Sequence, residues 1–347
     1  MKQQLSGEDA LARAAEAGIH VLRIPTPFAV GRVNAYLIED EPLTLVDSGP
    51  NSGRALDELH HQLAEHGHSI DDIELIVLTH QHMDHLGLVE IIAGHSGAEV
   101  AAIDKVVEFV EHFSEASTRD DEFATAVMLR NGISEDVVQA LRQVSSAFRA
   151  WGGKAKITRP LADGEVLRLR DRELRVLHRP GHSPSDTIFW DERRRILIAA
   201  DHLIKHISSN PLISRPLDAP DGAVAARDRP QALVAYLESL RLTRELPAEI
   251  VLSGHGDPIT DHVALIDERF AFHHRRADKI FDLIRERSRT GYELAQALFG
   301  DIAVTQAYLT LSEVLGHVDL LLNDGRVKET ERDGVSYFEA ANLHRSL

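Results

Sequence analysis

The segment Thr79-His80-Gln81-His82-Met83-Asp84-His85 places three imidazoles and one carboxylate within six residues. These are the donor types of zinc and its borderline neighbours. His80 and His82 are two apart, so in an extended segment their rings point the same way and can grip one ion. Asp84 and His85 lie past the bend, face elsewhere and suit a second ion. A lone histidine means little, but residue type and spacing together make a metal-site motif. The apolar run at 73–78, broken only by Glu74, precedes the motif and reads as a strand covered on both faces. The donors therefore sit on a loop leaving a buried strand, where scaffolds commonly present chemistry.

Composition narrows what such a site can belong to. A chain of 347 residues suits one large domain with an appendage. Hydrophobic content of 43% and charged content of 27% are ordinary for a globular protein. The net charge of -17 runs against a polyanion-binding surface, which needs clustered Lys and Arg. There is no cysteine, so disulfides, thiolate ligands and thiol nucleophiles are excluded. Any metal must be held by His, Asp or Glu. Residues 1–13 are polar and lack the apolar core of a signal peptide, and no stretch is long enough to span a bilayer. A cytoplasmic location is expected.

The H-x-H-x-D-H pattern after a hydrophobic strand resembles the signature of the metallo-β-lactamase superfamily, hydrolases that include glyoxalase II, lactonases, phosphodiesterases and some ribonucleases. The resemblance implies three further ligands downstream, a His, an Asp and a His, each at a strand end. Pro180-Gly181-His182-Ser183 follows the strand pattern at 173–177, Asp201 ends the apolar run at 195–200, and Gly254-His255-Gly256 follows the run at 249–252. All three positions are filled, in order.

By that resemblance His80, His82 and His182 hold one metal, Asp84, His85 and His255 hold the other, and Asp201 bridges them. It implies a hydrolase in which a hydroxide bridging the metals attacks the substrate, with Asp84 as the catalytic proton acceptor and shuttle. Two divalent ions are expected, zinc first by ligand type, with manganese or iron compatible. Asp47, in Asp47-Ser48-Gly49, resembles the family's first motif, whose Asp braces the metal loop; plain turn chemistry is the alternative.

The preferred substrate is a small acyl compound: a thioester, an ester or a lactone. The acidic balance favours it, as does a helical insertion that could form an apolar pocket. A phosphodiesterase or endoribonuclease on the same dinuclear site is the alternative. A non-catalytic regulatory protein of this fold sits poorly with a complete ligand set. Lys205 and His206, just after Asp201, either face the substrate or are ordinary loop residues.

The elements that must position these donors can be read from periodicity. Strand patterns occur at 19–24, 33–38, 43–46, 73–78, 99–103, 165–169, 173–177, 195–200 and 249–252, with helical patterns at 5–17, 51–66 and 86–94. His60, His61, His66 and His68 fall on or just after the second helix and read as solvated. Between 105 and 153 apolar residues recur at helical spacing, an insertion that serves either as a lid or as a covering or dimer-forming pair.

The tail reads as helices at 270–287, 292–299 and 304–322, then two strands at 326–330 and 335–338 joined by Asp333-Gly334. That order resembles the winged-helix-like domain appended to some members of the family. Interspersed acids and scarce Lys favour a structural cap or dimer element over a nucleic-acid module. The expected architecture is α/β: a four-layered αββα metallo-β-lactamase sandwich over 1–262 with a helical insertion at 105–153, then a C-terminal winged-helix-like domain over 263–347. The expected partner is a small acyl substrate. Nucleic acid is disfavoured, no membrane is involved, and a homodimer is compatible.

Overall fold

A computed structural model describes residues 5–219 and 226–341, so the first residues of the expected sandwich and the last of the expected tail domain lie outside the described residues. The chain opens with helix α1 (Gly7–Glu16), then strands β1 (Ile19–Ile24), β2 (Val33–Ile38) and β3 (Thr44–Val46). Helix α2 (Gly53–Glu65) leads to β4 (Leu75–Val77). Two short helices, α3 (Met83–Leu86) and α4 (Val89–Ser96), precede β5 (Glu99–Ile103). The insertion consists of α5 (Val107–Glu111), α6 (Phe113–Arg130) and α7 (Glu135–Phe148).

Five strands follow: β6 (Arg159–Leu161), β7 (Val166–Arg168), β8 (Glu173–His178), β9 (Thr187–Asp191) and β10 (Ile196–Ala200). Helix α8 (Ala232–Arg244), strand β11 (Ile250–Ser253) and the long helix α9 (His262–Glu286) come next. The tail contains β12 (Arg289–Thr290), α10 (Gly291–Phe299), α11 (Ile302–Thr305), α12 (Ala307–Asn323), β13 (Val327–Arg332) and β14 (Val335–Ala340).

The strands form two large sheets, β1-β2-β3-β4-β5-β6 and β11-β10-β9-β8-β7, and a small one, β12-β14-β13. Period-two alternation explains why the large sheets stack with helices outside them. On β9 to β11, Phe189, Ile196, Ile198, Ile250 and Leu252 join the core shared with the first sheet. The intervening Ile188, Trp190, Leu197, Ala199 and Val251 pack instead with Leu233, Tyr236 and Leu240 of α8 and Ile266 of α9. Each strand is buried on both faces, the composition seen in sheets covered on both sides. This is the αββα sandwich, in mixed sheets.

The insertion and the tail share one further core: Phe123, Val127 and Met128 of α6 pack with Leu294, Leu311, Val314 and Phe338. Helix α9 runs unbroken from the sandwich into this second core, because Ile266 joins the first cluster and Ile280 and Ile284 the second. Among the described residues no helix is long and apolar enough to cross a membrane.

The sequence reading differs from the structure in several places. The helix expected at 86–94 is split, because the Leu88 amide donates to Gly49 O and Ser48 Oγ, both at 3.2 Å, rather than continuing a helical ladder. Asp84 and His85 consequently lie on the helical turn α3, not on an open loop. Helix α9 starts at His262, where Asp261 Oδ1 caps it by accepting from the Ala264 amide at 3.0 Å, well before the expected 270. Strands β6, β9 and β12 and helix α8 are additions to the elements read from periodicity, and the helix expected at 304–322 is interrupted at Gln306, between α11 and α12.

Candidate metal centre

The donors gather where strands of both sheets end. β3 runs into Asp47, β4 into Thr79 and His80, β8 into the turn carrying His182, and the parallel neighbours β10 and β11 into Asp201 and His255. Pairing of Ala200 with Ser253 sets those last two loops side by side. The sheets are tied together here: Asn34 Nδ2 donates to Ser253 O at 2.9 Å, Tyr36 OH to the same oxygen at 2.6 Å, and the Thr187 amide to Thr79 O at 3.0 Å. These ties leave no signal in the sequence, since they end on backbone carbonyls.

All seven residues singled out from the sequence come together. The donor atoms of His80, His82 and His182 lie within 4.8 Å of one another, as do those of Asp84, His85 and His255, and those of His80, His85 and Asp201. In the first trio His82 Nδ1 is 3.1 Å from His80 Nε2 and 2.9 Å from His182 Nε2. In the second, His255 Nε2 is 3.4 Å from Asp84 Oδ2. Asp201 reaches both sets, at 3.5 Å from His182 Nε2 and 3.4 Å from each of His85 Nε2 and His255 Nε2.

Ring orientation is fixed from behind. His85 Nδ1 meets Asp47 Oδ2 at 2.7 Å, and His255 Nδ1 donates to Arg32 O at 2.9 Å. Thr79 Oγ1 donates to Asp47 Oδ2 at 2.8 Å and accepts from His80 Nδ1 at 3.0 Å. In all three rings Nε2 is left facing the centre, the arrangement that orients metal-ligating imidazoles. Asp47 also accepts from the Thr79 amide at 2.9 Å, so this one carboxylate holds both ends of the motif. The His182 turn is held by Asp186, which accepts from Ser183 Oγ at 2.7 Å and from the Ser183 amide at 3.0 Å.

The backbone is strained at two of these supports. Asp47 has φ of 58° and Ala200, just before Asp201, φ of 44°. Non-glycine residues in that region persist only where the surroundings over-determine them. Gly254 is required by space: a Cβ there would lie 2.0 Å from Asp201 Oδ1.

The charges in the centre explain its proton affinities. Burial, then the neighbouring His85 and His82, holds His80 well below the usual imidazole range. Burial and His182 push His82 down to about 3. Burial should depress His255 too, but Asp201 overrides it and lifts His255 to about 10. For His85 the same contest against Asp201, Asp47 and Asp84 ends well above the usual range. Asp201 and Asp84 are pushed up by burial yet held low, Asp201 chiefly by His255 and His85, Asp84 chiefly by His85. One side of the centre thus keeps His80 and His82 neutral with free lone pairs, while the other favours positive charge between anions.

Buried His85 Nε2, Asp201 Oδ1 and His182 Nδ1 have no hydrogen-bond partner among the described residues. Such orphans are costly, and the first two face the shared centre. A set of His and Asp donors with neutral imidazoles among them fits divalent borderline ions.

Lys205 and His206 do not join the cluster. Both are exposed, and His206 Nε2 lies 3.4 Å from Asp257 Oδ2 on the turn after His255. Beside the backbone of the His182 turn is a cavity of about 340 Å³, lined by Pro180, Pro184, Leu212, Leu217 and Ala235 together with polar groups such as Lys105 and Asp218.

Residues 29–255 match the family described as the metallo-beta-lactamase superfamily. The chain is similar to a probable metallo-hydrolase of Bacillus subtilis, YqjP, at 31% identity over 93% of this chain and 96% of that one. It is also similar, over a shorter stretch, to the human acyl-coenzyme A thioesterase MBLAC2, at 33% identity over 37% of this chain and 40% of that protein. A crystal structure of a metallo-beta-lactamase family protein from Thermus thermophilus superposes with a TM-score of 0.74 at 28% identity, covering 93% of this chain and 98% of that one. With its fold, its clustered donors and these relatives in agreement, the chain belongs to the metallo-beta-lactamase superfamily and is a metal-binding hydrolase.

Proposed function

We propose that this protein hydrolyses an acyl substrate, a thioester, ester or lactone, at a dinuclear zinc centre. The observation that carries the dinuclear reading is Asp201, whose carboxylate lies within 3.5 Å of donors from both trios. His80, His82 and His182 would hold one ion, and Asp84, His85 and His255 the other, with Asp201 between them. Held there, divalent ions would supply Lewis acidity toward a scissile carbonyl and would lower the pKa of a water to about 7.

The remaining chemistry falls to side chains. Asp84 is less enclosed than Asp201, with 13% of its side chain exposed against 8%. Its carboxyl is held low by His85 despite burial, so it is ionised at neutral pH. It can accept a proton from the attacking water at a carboxylate oxygen and return it to the leaving oxygen or sulfur. Asp47, Thr79 and Arg32 keep the rings aimed throughout.

Three features support an acyl substrate. A thioesterase stands among the relatives, the net charge of -17 disfavours polyanions, and the largely apolar cavity against the His182 turn suits an acyl chain. We read the tail as a winged-helix-like cap that closes the second core. The test is a rate panel on protein of measured metal content, setting thioesters and lactones against bis-p-nitrophenyl phosphate and a short RNA. Acyl turnover that is abolished in His82→Ala is expected. Phosphodiester turnover without acyl turnover would overturn the reading.

A further inference from the structure

A second group of donors lies far from the centre. The ligand atoms of His20, Glu39 and His66 all fall within 4.8 Å of one another. His20 Nε2 is 2.9 Å from Glu39 Oε2, and His68 Nε2 approaches the other oxygen, Oε1, at 3.5 Å. The His20 and His66 rings are 4.2 Å apart between centroids, tilted by 37°. We propose that His20, Glu39, His66 and His68 form an additional metal site, for a zinc-like divalent ion, which clips the end of α2 to the β1–β2 hairpin.

An ordinary ion pair accounts for one imidazole on Glu39. Here two imidazoles, His20 and His68, reach the two oxygens of Glu39, and a third, His66, lies in ring contact with His20 and brings its donor within 4.8 Å of the His20–Glu39 pair. A tetrahedral zinc site with ligands at about 2.1 Å has donors roughly 3.4 Å apart; here Glu39 lies 2.9 Å from His20 Nε2 and 3.5 Å from His68 Nε2, with the His66 donor within 4.8 Å of His20 and Glu39. His20, Glu39 and His66 offer three positions, and His68, beside the other Glu39 oxygen, would supply the fourth of a closed structural site.

The backbone beneath the donors is set before any ion arrives. His20 pairs with Leu37 in the hairpin, and the Glu39 amide donates to Gly18 O at 2.9 Å. At the end of α2 the amides of Gly67 and His68 donate to Ala64 O and Leu63 O, each at 3.0 Å. Gly67 supplies the left-handed residue, φ 79°, that turns the chain so that His68 comes back beside His66. Burial and the adjacent His20 also keep His66 below its usual range, with its lone pair free.

This cluster is separate from the first centre. Strand β2 connects the two: Val33 at its start bridges to His255, and Ile38 at its end precedes Glu39. Six residues of strand put them about 20 Å apart. An ion here would act on the hairpin and helix, not on the reaction.

The test is zinc stoichiometry after chelator stripping, reloading and gel filtration, read on wild type, His66→Ala/His68→Ala and Glu39→Gln. The histidine pair lies at a helix end with partial exposure, so the double variant is expected to keep the wild-type circular dichroism and hydrolysis rate while retaining one zinc fewer. Glu39→Gln keeps a hydrogen-bond partner for His20 but loses the charge, and should weaken that one zinc at least about tenfold, since ligand chemistry sets the affinity. Equal zinc content in wild type and the double variant would overturn the proposal. So would a variant that loses zinc and hydrolysis together, because the missing ion would then belong to the first centre.

Discussion

The histidines on the anion-facing side of the metal centre and those buried in the tail behave oppositely. In the metal centre His255 is lifted to about 10, while at the seam of α9 and α12 burial pushes His273 to about 3 and His317 to about 4. Burial is the largest influence on all three and acts in the same direction. What differs is the company. His255 faces Asp201 and Asp84 at 3.4 Å each. His273 Nδ1 faces His317 Nε2 at 3.0 Å, and His317 Nδ1 donates to Glu313 O at 2.6 Å. The carboxylate nearest this pair, Glu313, is 3.9 Å from His317 and is itself raised by burial. One set of rings leaves nitrogens aimed at a common point among anions; the other spends them within a neutral chain. Residue type is shared, and the surrounding carboxylates decide whether a cation is wanted.

The sharpest way to break that contrast is to disturb a carboxylate while keeping every histidine in the sequence. Gly254→Ala puts a methyl group hardest against Asp201 Oδ1, and 3.0 Å from His85 Cε1 and the Ala200 carbonyl carbon. Displacing this carboxylate by about 1 Å should cost at least about 10²-fold in kcat/KM, and metal loading measured alongside should show the loss. A rate within a few-fold of wild type would mean that Asp201 need not sit where the structure has it. Asp47→Asn is milder. The amide still fills the space, but it lowers the negative charge behind His85 and can misorient the ring. Zinc affinity should fall by about 10–100-fold, the usual cost of losing a partner behind a ligand. Competition with a chromophoric chelator measures this directly, and unchanged affinity would reduce Asp47 to turn chemistry.

Why the seven donors could be read from sequence follows from how they are placed. They follow strands of near-continuous Ile, Val, Leu and Ala at 78–85, 200–201 and 252–255, and an alternating strand, β8, before the Pro180-Gly181-His182 turn, so strand and polar ligand together make a local signal. Other features leave no local mark. Strand β9 is buried at all five positions and ends in Asp191, whose carboxylate is covered by Arg172 at 3.5 Å and Arg194 at 3.1 Å. Strand β6 contains Pro160, tolerated because it lies at the sheet edge. The partners behind the rings, such as Arg32 O, belong to the backbone and have no sequence identity. His66 and His68 read as solvated because His20 and Glu39, which they meet, are remote in sequence and joined only by docking of α2 against β1.

The seam makes the complementary test. If His273 and His317 are neutral because they are buried without anions, they must oppose acidification. Their folded values, about 3 and about 4, lie below the ordinary 6.5. The stability they permit is therefore fully present above pH 6.5 and is lost as pH falls from there toward 3, because the unfolded chain takes up the protons first. The titratable and charged groups facing His273, apart from His317, are Arg269, Arg276 and His274, and all three oppose its protonation. At pH 5 a single such histidine costs roughly 2 kcal/mol, at 1.36 kcal/mol per unit. His273→Gln keeps a hydrogen-bonding group toward His317 but cannot titrate. Urea midpoints at pH 7.5 and pH 5 should then show the variant losing about 1–2 kcal/mol less than wild type over that interval, even if it starts less stable. Parallel losses in the two proteins would show that His273 finds a charge-accepting partner on protonation. The seam would then resemble the metal centre more closely than its geometry indicates.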